Sequence, residues 1–262
     1  MAPLSVPRGV AAWILPVTLL VAWEIAADTG LISARTLPAP SAVALAFRQA
    51  LSDGTLVQAV AVSTGRALQG LAIGGLLGFG LGVLNGLWKP AELLLDSTLQ
   101  MLRNVPHLAI IPLVILWFGI GETAKVFLVT LGVLFPVYLN TYHGVRTIDP
   151  GLLEMARVYG LGPFARFVRV ILPGALPSIF VGLRYGLGLM WLTLIVAETI
   201  SASSGIGYMT MNAREFMQID VVLMGILIYA LLGKLSDVIT RALEHATLAW
   251  HPSYAASQET PA

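Results

Sequence analysis

The sequence contains no cysteine, which excludes disulfide bonds, thiolate metal sites and a cysteine nucleophile. Charged residues are scarce as well: Asp, Glu, Lys and Arg make up 11% of the 262 residues, against about 25% in a typical soluble domain. Hydrophobic residues make up 57%, and the mean hydropathy is +0.83. These proportions place the chain among membrane proteins. A net charge of +1 gives no basic surface for nucleic acid.

Motifs of nucleotide hydrolysis and of common hydrolases are missing too. The sequence has no G-x-x-x-x-G-K-[ST] loop, no H-E-x-x-H pair and no G-x-S-x-G elbow. The four histidines are scattered, and His107 is predicted to be an interfacial residue rather than a ligand. We therefore expect a chain that is not an enzyme, holds no metal or cofactor, and does not hydrolyse ATP through a P-loop of its own.

Six hydrophobic runs are long enough, or nearly so, to cross a membrane, since a helix needs roughly 20 apolar residues to span a hydrocarbon core of about 30 Å. They lie at 10–27, 67–88, 105–120, 126–142, 178–200 and 216–239. The first run could be a signal peptide, but Pro16 inside it, Glu24 after it and the lack of a clear cleavage site favour a retained span. The predicted fold is an all-α polytopic membrane bundle of six transmembrane helices.

Lysine and arginine set the predicted orientation, because short cytoplasmic loops carry an excess of them. With the N-terminus inside and Arg184 left out, nine of these residues are cytoplasmic and five are outside. Both termini are therefore predicted to be cytoplasmic. The predicted regions are an N-terminus at 1–9, a first transmembrane helix at 10–27, an outer amphipathic segment at 28–65 that breaks near Asp53 and Gly54, a core at 66–240 with a cytoplasmic loop at 143–176, and a C-terminal tail at 241–262.

Charged side chains near or inside the spans are candidates for function, because charge within a bilayer is costly. They include Glu24, Glu198 and Lys234, for which placement at a membrane interface is the plain alternative. Arg184 lies deeper, about two turns into the fifth run. Three roles stay open for it: pairing with a carboxylate, lining an anion path, or reaching the cytoplasmic headgroups. Arg184 and Glu198 are our candidates for a translocation path.

Glycines recur at every fourth position of the second run, at Gly70, Gly74, Gly78, Gly82 and Gly86. This spacing puts them on one helix face, where small residues let two backbones approach closely within a membrane. The pattern predicts tight packing against a neighbouring helix. A sharper interpretation is that this face slides on its neighbour during a conformational cycle.

The loop at 143–176 is predicted to form two short helices joined by glycine. Asp149 is a good N-cap for the first helix, and Pro150 suits its first turn. Gly160 and the glycine two residues later break this helix. Leu172 and Pro173 are predicted to stop the second helix before the fifth run begins.

The second of these helices has an apolar face and a basic face. Phe164, Phe167 and Ile171 share one side at helical spacing with Val168. Two arginines, at 166 and 169, share another side. Such an elbow either docks on a partner protein or lies on lipid with its arginines at the phosphates. The residues alone do not decide between these two interpretations.

The same loop resembles the EAA loop of the membrane subunits of bacterial ABC importers. That pattern is E-A-A, three residues, G, nine residues and I-x-L-P, and here it reads Glu154-Met155-Ala156, then Gly160, then 170–173 ending on Leu172-Pro173. Met155 and the valine at 170 depart from it conservatively. The resemblance implies a coupling helix that enters a cleft on a separate ATPase subunit, with Gly160 allowing the turn.

The resemblance extends over residues 10–252 and is greatest to the permeases of aliphatic sulfonate importers, with taurine, nitrate and bicarbonate permeases as near relatives. It implies a type I, MetI-like permease bundle in the bacterial inner membrane. It also implies a homodimer, a cytoplasmic ATPase that binds ATP and Mg²⁺, and a periplasmic binding protein. The alternative from another class is a self-sufficient ion-coupled secondary transporter that relays ions through Glu24, Arg184, Glu198 and Lys234.

Overall fold

The computed structural model describes residues 8–106 and 109–250, so His107 lies outside the described residues. All regular secondary structure in these two ranges is helical. In chain order the helices are α1 Arg8–Asp28, α2 Pro40–Ser52, α3 Thr55–Leu87, α4 Lys89–Arg103, α5 Ile111–Phe118, α6 Glu122–Arg146, α7 Pro150–Val158, α8 Pro163–Arg166, α9 Leu172–Ser201, α10 Ile206–Glu215 and α11 Ile219–Thr247. A π-helical turn, Phe167–Ile171, joins α8 to α9.

Four helical segments of the described chain are long and apolar enough to cross a membrane. They are α3, α6, the joined segment Pro163–Ile200 and α11. These segments contain nearly all residues of the second, fourth, fifth and sixth predicted spans, and α1 covers the first. The prediction of an all-α membrane bundle is confirmed.

The third predicted span, 105–120, is wrong as a single helix. Among its described residues, the only helix is α5, whose eight residues extend for about 12 Å. Two prolines explain the difference. Pro106 lies in the irregular segment between α4 and α5, and Pro112 stands in the first turn of α5, where the missing N–H is tolerated.

The contacts between α3 and α6 show the relative direction of these two helices, and so the path that the chain takes between them. A Cβ added to Gly70 would lie 2.3 Å from Val129, and one added to Gly86 would lie 2.6 Å from Val145. The contacts advance in the same direction on both helices, so α3 and α6 are parallel. The chain between them must therefore return along the bundle.

An ion pair marks where this return ends. Arg66 of α3 contacts Glu122, the first residue of α6. Between Arg66 and Leu87, the last residue of α3, the helix rises by about 31 Å, which is close to the thickness of a hydrocarbon core. The stretch of chain that contains α4 and α5 therefore returns along the bundle in place of the continuous third span.

The outer segment predicted at 28–65 also needs a correction. It breaks where predicted, because Gly54 has a φ of 81° and Asp53 accepts hydrogen bonds from the Thr55 N–H at 2.9 Å and hydroxyl at 2.6 Å. These two bonds hold the pKa of Asp53 below its usual value. After this break, however, residues 55–65 belong to the long helix α3 and not to a separate amphipathic helix.

The loop after α6 begins and turns as its sequence predicts. The Asp149 carboxylate accepts a hydrogen bond from the Gly151 N–H at 2.7 Å and caps α7. At the other end, Gly160 has a φ of 75°, and the N–H groups of Gly160 and Leu161 donate to the carbonyls of Arg157 and Ala156. This is a Schellman motif, which requires a left-handed residue at the position of Gly160.

The predicted stop at Leu172 and Pro173 is wrong. The helix continues through both residues, from Pro163 to Ser201, with the π turn Phe167–Ile171 just before Pro173. Within this turn the Leu172 N–H donates to the Phe167 carbonyl. A π turn displaces the carbonyls that the proline ring would otherwise meet, so the helix accommodates the proline instead of ending.

The centre of the bundle is α6, the most enclosed of the four long segments. It packs parallel to α3 on one side and antiparallel to α9 on another, where Gly132 lies against Thr193 and Gly144 against Ser178. α11 packs on α9. α1 packs on α2, where the Glu24 carboxylate accepts a hydrogen bond from the Ser41 N–H at 3.0 Å.

Candidate functional site

The elbow, defined as residues 150–166, lies at the end of the bundle where α6 ends and α9 begins, and large apolar side chains are exposed on it beside Glu154 and Arg157. Val158, Tyr159 and Phe164 are 81%, 79% and 80% exposed. Leu152 and Met155 are exposed by about half. An apolar patch of this kind marks a contact surface for protein or membrane.

The residues of the EAA-like pattern divide between this surface and the bundle. Glu154 and Met155 are exposed on α7, whereas Ala156 is buried. Gly160 forms the turn, and Leu172 and Pro173 are half-buried within the long helix that follows. The pattern therefore links an exposed helix, a fixed turn and the start of a spanning segment.

The apolar face predicted for the second helix extends from this surface into the bundle. Phe164 is exposed, Phe167 is half-buried, and Ile171 is buried in a cluster with Val145 of α6 and Ala175 of α9. The π turn thus connects the elbow to α6 and α9 through packed apolar side chains. A force on the elbow would reach both helices through these contacts.

A second candidate site lies at the opposite end of the bundle, where α6 begins. We call it the Arg66 network, and its members are Ser63, Arg66, Glu122, Lys125, Glu198, Ser204 and Tyr229. They come from four long helices and from the turn between α9 and α10. The network therefore joins the bundle at this end.

Arg66 is the centre of this network, with its side chain 3% exposed. Its Nε and Nη2 donate to the two carboxylate oxygens of Glu122 at 2.5 and 2.6 Å. Its Nη1 donates to Glu198 at 2.6 Å and to the Ser204 carbonyl at 2.7 Å, and Nη2 also reaches the Ser204 hydroxyl at 2.8 Å. The guanidinium is thus held between two carboxylates and the α9–α10 turn.

Glu198 is buried, and its carboxylate accepts several hydrogen bonds besides that of Arg66. The Ser63 hydroxyl lies 2.8 Å from both oxygens, while the Gly207 N–H and the Tyr229 hydroxyl donate to Oε2 at 2.9 Å. A buried carboxylate is stable only with such compensation. Glu198 therefore does not lie freely at an interface, and its role in a translocation path stays a prediction.

Arg184 also has carboxylate partners. It forms a hydrogen-bonded ion pair with Glu244 of α11, and its Nε lies 3.6 Å from Asp237. Among the three roles left open by the sequence, the structure shows the pairing role. Asp237 also contacts Lys234 and Arg241, so the charges of this region form one network between α9 and α11.

Sequence reasoning missed both Arg66 and Lys125 as members of a site and counted them as loop charges on the outer side. The carboxylate partners of Arg66 lie far away along the chain, at separations of 56 and 132 residues, and Lys125 joins the site through Glu122 of its own helix. A second polar cluster was missed as well, in which the Tyr138 hydroxyl accepts from Asn85 at 2.9 Å and donates to Asp96 at 2.8 Å. The available signal was only that each charge stands next to an apolar run.

Comparisons with known proteins agree with this architecture. The family described as "Binding-protein-dependent transport system inner membrane component" matches residues 55–248. The chain is 59% identical over 251 residues to the "Putative aliphatic sulfonates transport permease protein SsuC" of Escherichia coli strain K12, covering 96% of this chain and 95% of that protein. It is 39% identical to the "Taurine transport system permease protein TauC" of the same strain, covering 89% and 86%.

A solved structure shares the fold. An inward-facing MetNI methionine ABC transporter matches with a TM-score of 0.57 at 22% identity, covering 73% of this chain and 97% of the other. This likeness concerns the arrangement of helices and supports the ABC-importer permease fold expected from the sequence. The family match and the two relatives show the family as well as the fold, because they cover most of the chain. The chain belongs to the inner-membrane permease components of binding-protein-dependent ABC transport systems.

Proposed function

We propose that this protein is the permease of an ATP-driven importer that carries aliphatic sulfonates across the inner membrane by alternating access. The observation that supports this substrate is the 59% identity to a relative described as an aliphatic sulfonates permease. Taurine is the second candidate because of the 39% identical relative. Taurine carries a sulfonate group as well, so both candidates present the same anionic head.

We propose that the elbow is the place where a separate ATPase subunit acts on this chain. Its exposed Val158, Tyr159 and Phe164 support a protein contact, and the exposed Glu154 lies on α7 with Val158. ATP and Mg²⁺ would be bound by that ATPase, and a binding protein would deliver the substrate. Closure of the ATPase pair would displace the elbow, and the π turn would transmit this movement to α6 and α9.

The orientation follows from this proposal. An ATPase that uses cellular ATP must meet the elbow in the cytoplasm, which puts the Arg66 network on the outer side and both termini inside. The excess of Lys and Arg on the elbow side of the spans agrees with this orientation. A cysteine placed at Asp53 should then react with a membrane-impermeant maleimide added outside intact cells, and one placed at Glu154 should not.

We further propose that two copies of the chain form the working unit, with the substrate path between them. In the described part of one bundle, α6 fills the centre with large buried side chains such as Tyr138 and Phe135, which favours a path between two copies over one through a single copy. Arg184 and Glu198 remain the residues that we propose for the neighbourhood of the path. Crosslinking between copies in native membranes would test the dimer.

Growth of a deletion strain tests the proposed substrate. We expect loss of growth when an alkanesulfonate is the sole sulfur source, and normal growth on sulfate, because only the first route needs this permease. Normal growth of the deletion strain on alkanesulfonates would contradict the proposal, provided that the strain has no second importer for them. Growth on taurine distinguishes the second candidate.

A further inference from the structure

Within the Arg66 network, an exposed carboxylate lies between two buried cations. The Glu122 side chain is 60% exposed, whereas Arg66 is 3% and Lys125 is 2% exposed. Glu122 contacts both cations, since its Oε1 also accepts from Lys125 Nζ at 3.0 Å. Glu122 is the most exposed member of the network, and water can solvate its carboxylate after it moves, so it can leave its position more easily than the buried members can.

The guanidinium of Arg66 divides its donors between a fixed partner and this exposed one. Nη1 points to the buried Glu198 and to the Ser204 carbonyl. The Nε and Nη2 edge points to Glu122, with one donor for each carboxylate oxygen. That edge is the part of an arginine that binds two oxygens of one oxyanion.

If the Glu122 carboxylate moved away, the remaining side chains of the site would carry a net charge. Arg66 and Lys125 each carry +1, and Glu198 carries −1, so the remaining site has a net charge of +1. A buried uncompensated charge is strongly unfavourable, and one monovalent anion would neutralise it. The free N–H groups in the first turn of α6, which has no side-chain cap, favour an anion at the same place.

We propose that Arg66 and Lys125 form a seat for a monovalent oxyanion, an organic sulfonate in particular, which Glu122 occupies when no ligand is bound. Two sulfonate oxygens would take the Nε and Nη2 donors of Arg66, and the third would face Lys125. The choice of sulfonate rests on the proposed function, but the charge balance does not. A divalent anion such as sulfate would leave the seat with an excess negative charge.

Other places in the described structure are less suited to an anion. Arg184 is already paired with Glu244 and faces Asp237. A crevice of about 250 Å³ between α3 and α10 is lined by uncharged residues, among them Ser203, Tyr208 and Asn212. Of these three places, only the seat combines two buried cations with a carboxylate that can move away.

The first test removes the negative charge of Glu122, which occupies the seat when no ligand is bound. Glu122→Gln keeps the size of the side chain but removes its charge, and the full-length protein is studied in nanodiscs without ATPase or binding protein. The rise in unfolding temperature with hexanesulfonate concentration gives the apparent affinity. We expect this affinity to tighten roughly fivefold or more, because the ligand no longer has to displace a carboxylate from the two cations. Glu215→Gln, an exposed carboxylate of α10, is the matched control and should leave the affinity unchanged.

The second test removes one cation. Lys125→Met should weaken hexanesulfonate binding roughly tenfold or more, whereas Lys125→Arg should retain it. Sulfate should bind the wild type and Glu122→Gln more weakly than hexanesulfonate does.

If Lys125→Met does not fold, the Glu122→Gln titration decides alone. Unchanged hexanesulfonate affinity in Glu122→Gln would overturn the proposal and leave the network a purely structural one. Binding is measured without ATP, so failure of ATP-driven uptake would refute the proposed function without refuting the seat.

Discussion

At the scale of single residues, position 205 requires glycine, because Gly205 lies against the buried ion pair of Arg66 and Glu198. Its φ is +103°, and a Cβ there would lie 2.5 Å from Glu198 Oε1 and 2.7 Å from Arg66 Nη1. A side chain at this position would therefore be strained and would also displace two charged groups. Glycine is needed here for both conformation and space.

Replacement of this glycine tests how much the buried pair stabilises the protein. We expect Gly205→Ala to lower the free energy of unfolding by about 3 kcal/mol or more, from backbone strain together with a disturbed buried ion pair. Chemical unfolding in mild detergent measures the change. Gly188→Ala in α9 is the control, because a Cβ there meets nothing within 4 Å. Equal stability of the two variants would contradict this expectation, because it would show that the turn accommodates a side chain without loss of stability.

The candidate residues differ in how far the sequence predicts them. Glu154, Ala156 and Gly160 are predictable because a local spacing pattern contains them all, and the turn at Gly160 is found as expected. The Arg66 network is not predictable in this way. The contacts of Arg66 with its two carboxylate partners join residues separated by 56 and 132 positions, and only the packing of α3, α6 and α9 brings them together.

At the scale of helices, the close approach of α3 and α6 depends on the glycine ladder. A Cβ added to Gly78 would lie 2.5 Å from the Leu134 carbonyl oxygen, and one added to Gly82 would lie 2.6 Å from Thr141. Backbone atoms cannot move aside as a flexible side chain can. The ladder therefore holds the two helices at a separation that larger residues would not permit.

A pair of leucine substitutions separates packing from hydrophobicity. Gly78→Leu should force α3 away from α6 and lower the free energy of unfolding by several kcal/mol, on the order of a severe overpacking change. Gly75→Leu in the same helix meets nothing within 4 Å and should be nearly neutral. Thermal unfolding in nanodiscs compares them. Similar losses in both variants would contradict a specific role of the ladder face.

The elbow is the second element whose geometry makes a prediction. Gly160→Val places a β-branched residue at a φ of 75°, which costs on the order of 1–3 kcal/mol locally and disfavours the turn. We expect ATP-driven uptake to fall roughly tenfold or more while the protein still inserts, with the unfolding temperature lowered by only about 2–10 °C. Gly162→Val is the matched control, because its φ of −63° suits valine. Normal uptake by Gly160→Val would mean that the elbow does not couple the subunits.

Helices are predictable from the sequence where one apolar run corresponds to one helix, as in α3, α6, α9 and α11. The third span was mispredicted as one helix because hydropathy does not register that Pro106 and Pro112 divide the run. The stop at Pro173 was mispredicted for the opposite reason, since a π turn lets the helix pass the proline. In both cases local backbone hydrogen bonding decides whether the helix continues past a proline, and hydropathy does not contain this information.

At the scale of the whole molecule, the two candidate sites lie at opposite ends of the same helices. α6 begins at Glu122 in the Arg66 network and ends at Arg146 beside the elbow. α9 connects the same two regions through the π turn at one end and Glu198 at the other. A movement of the elbow and a change in the Arg66 network would therefore act on shared rigid elements, which is what alternating access requires.

Uptake into proteoliposomes tests the central claim most directly. The purified chain is reconstituted with its ATPase and supplied with binding protein and radiolabelled hexanesulfonate. We predict accumulation that needs ATP and both partners, and none for the chain alone under a proton or sodium gradient. Gradient-driven uptake by the chain alone, without ATP or partners, would contradict the account and favour a self-sufficient secondary transporter.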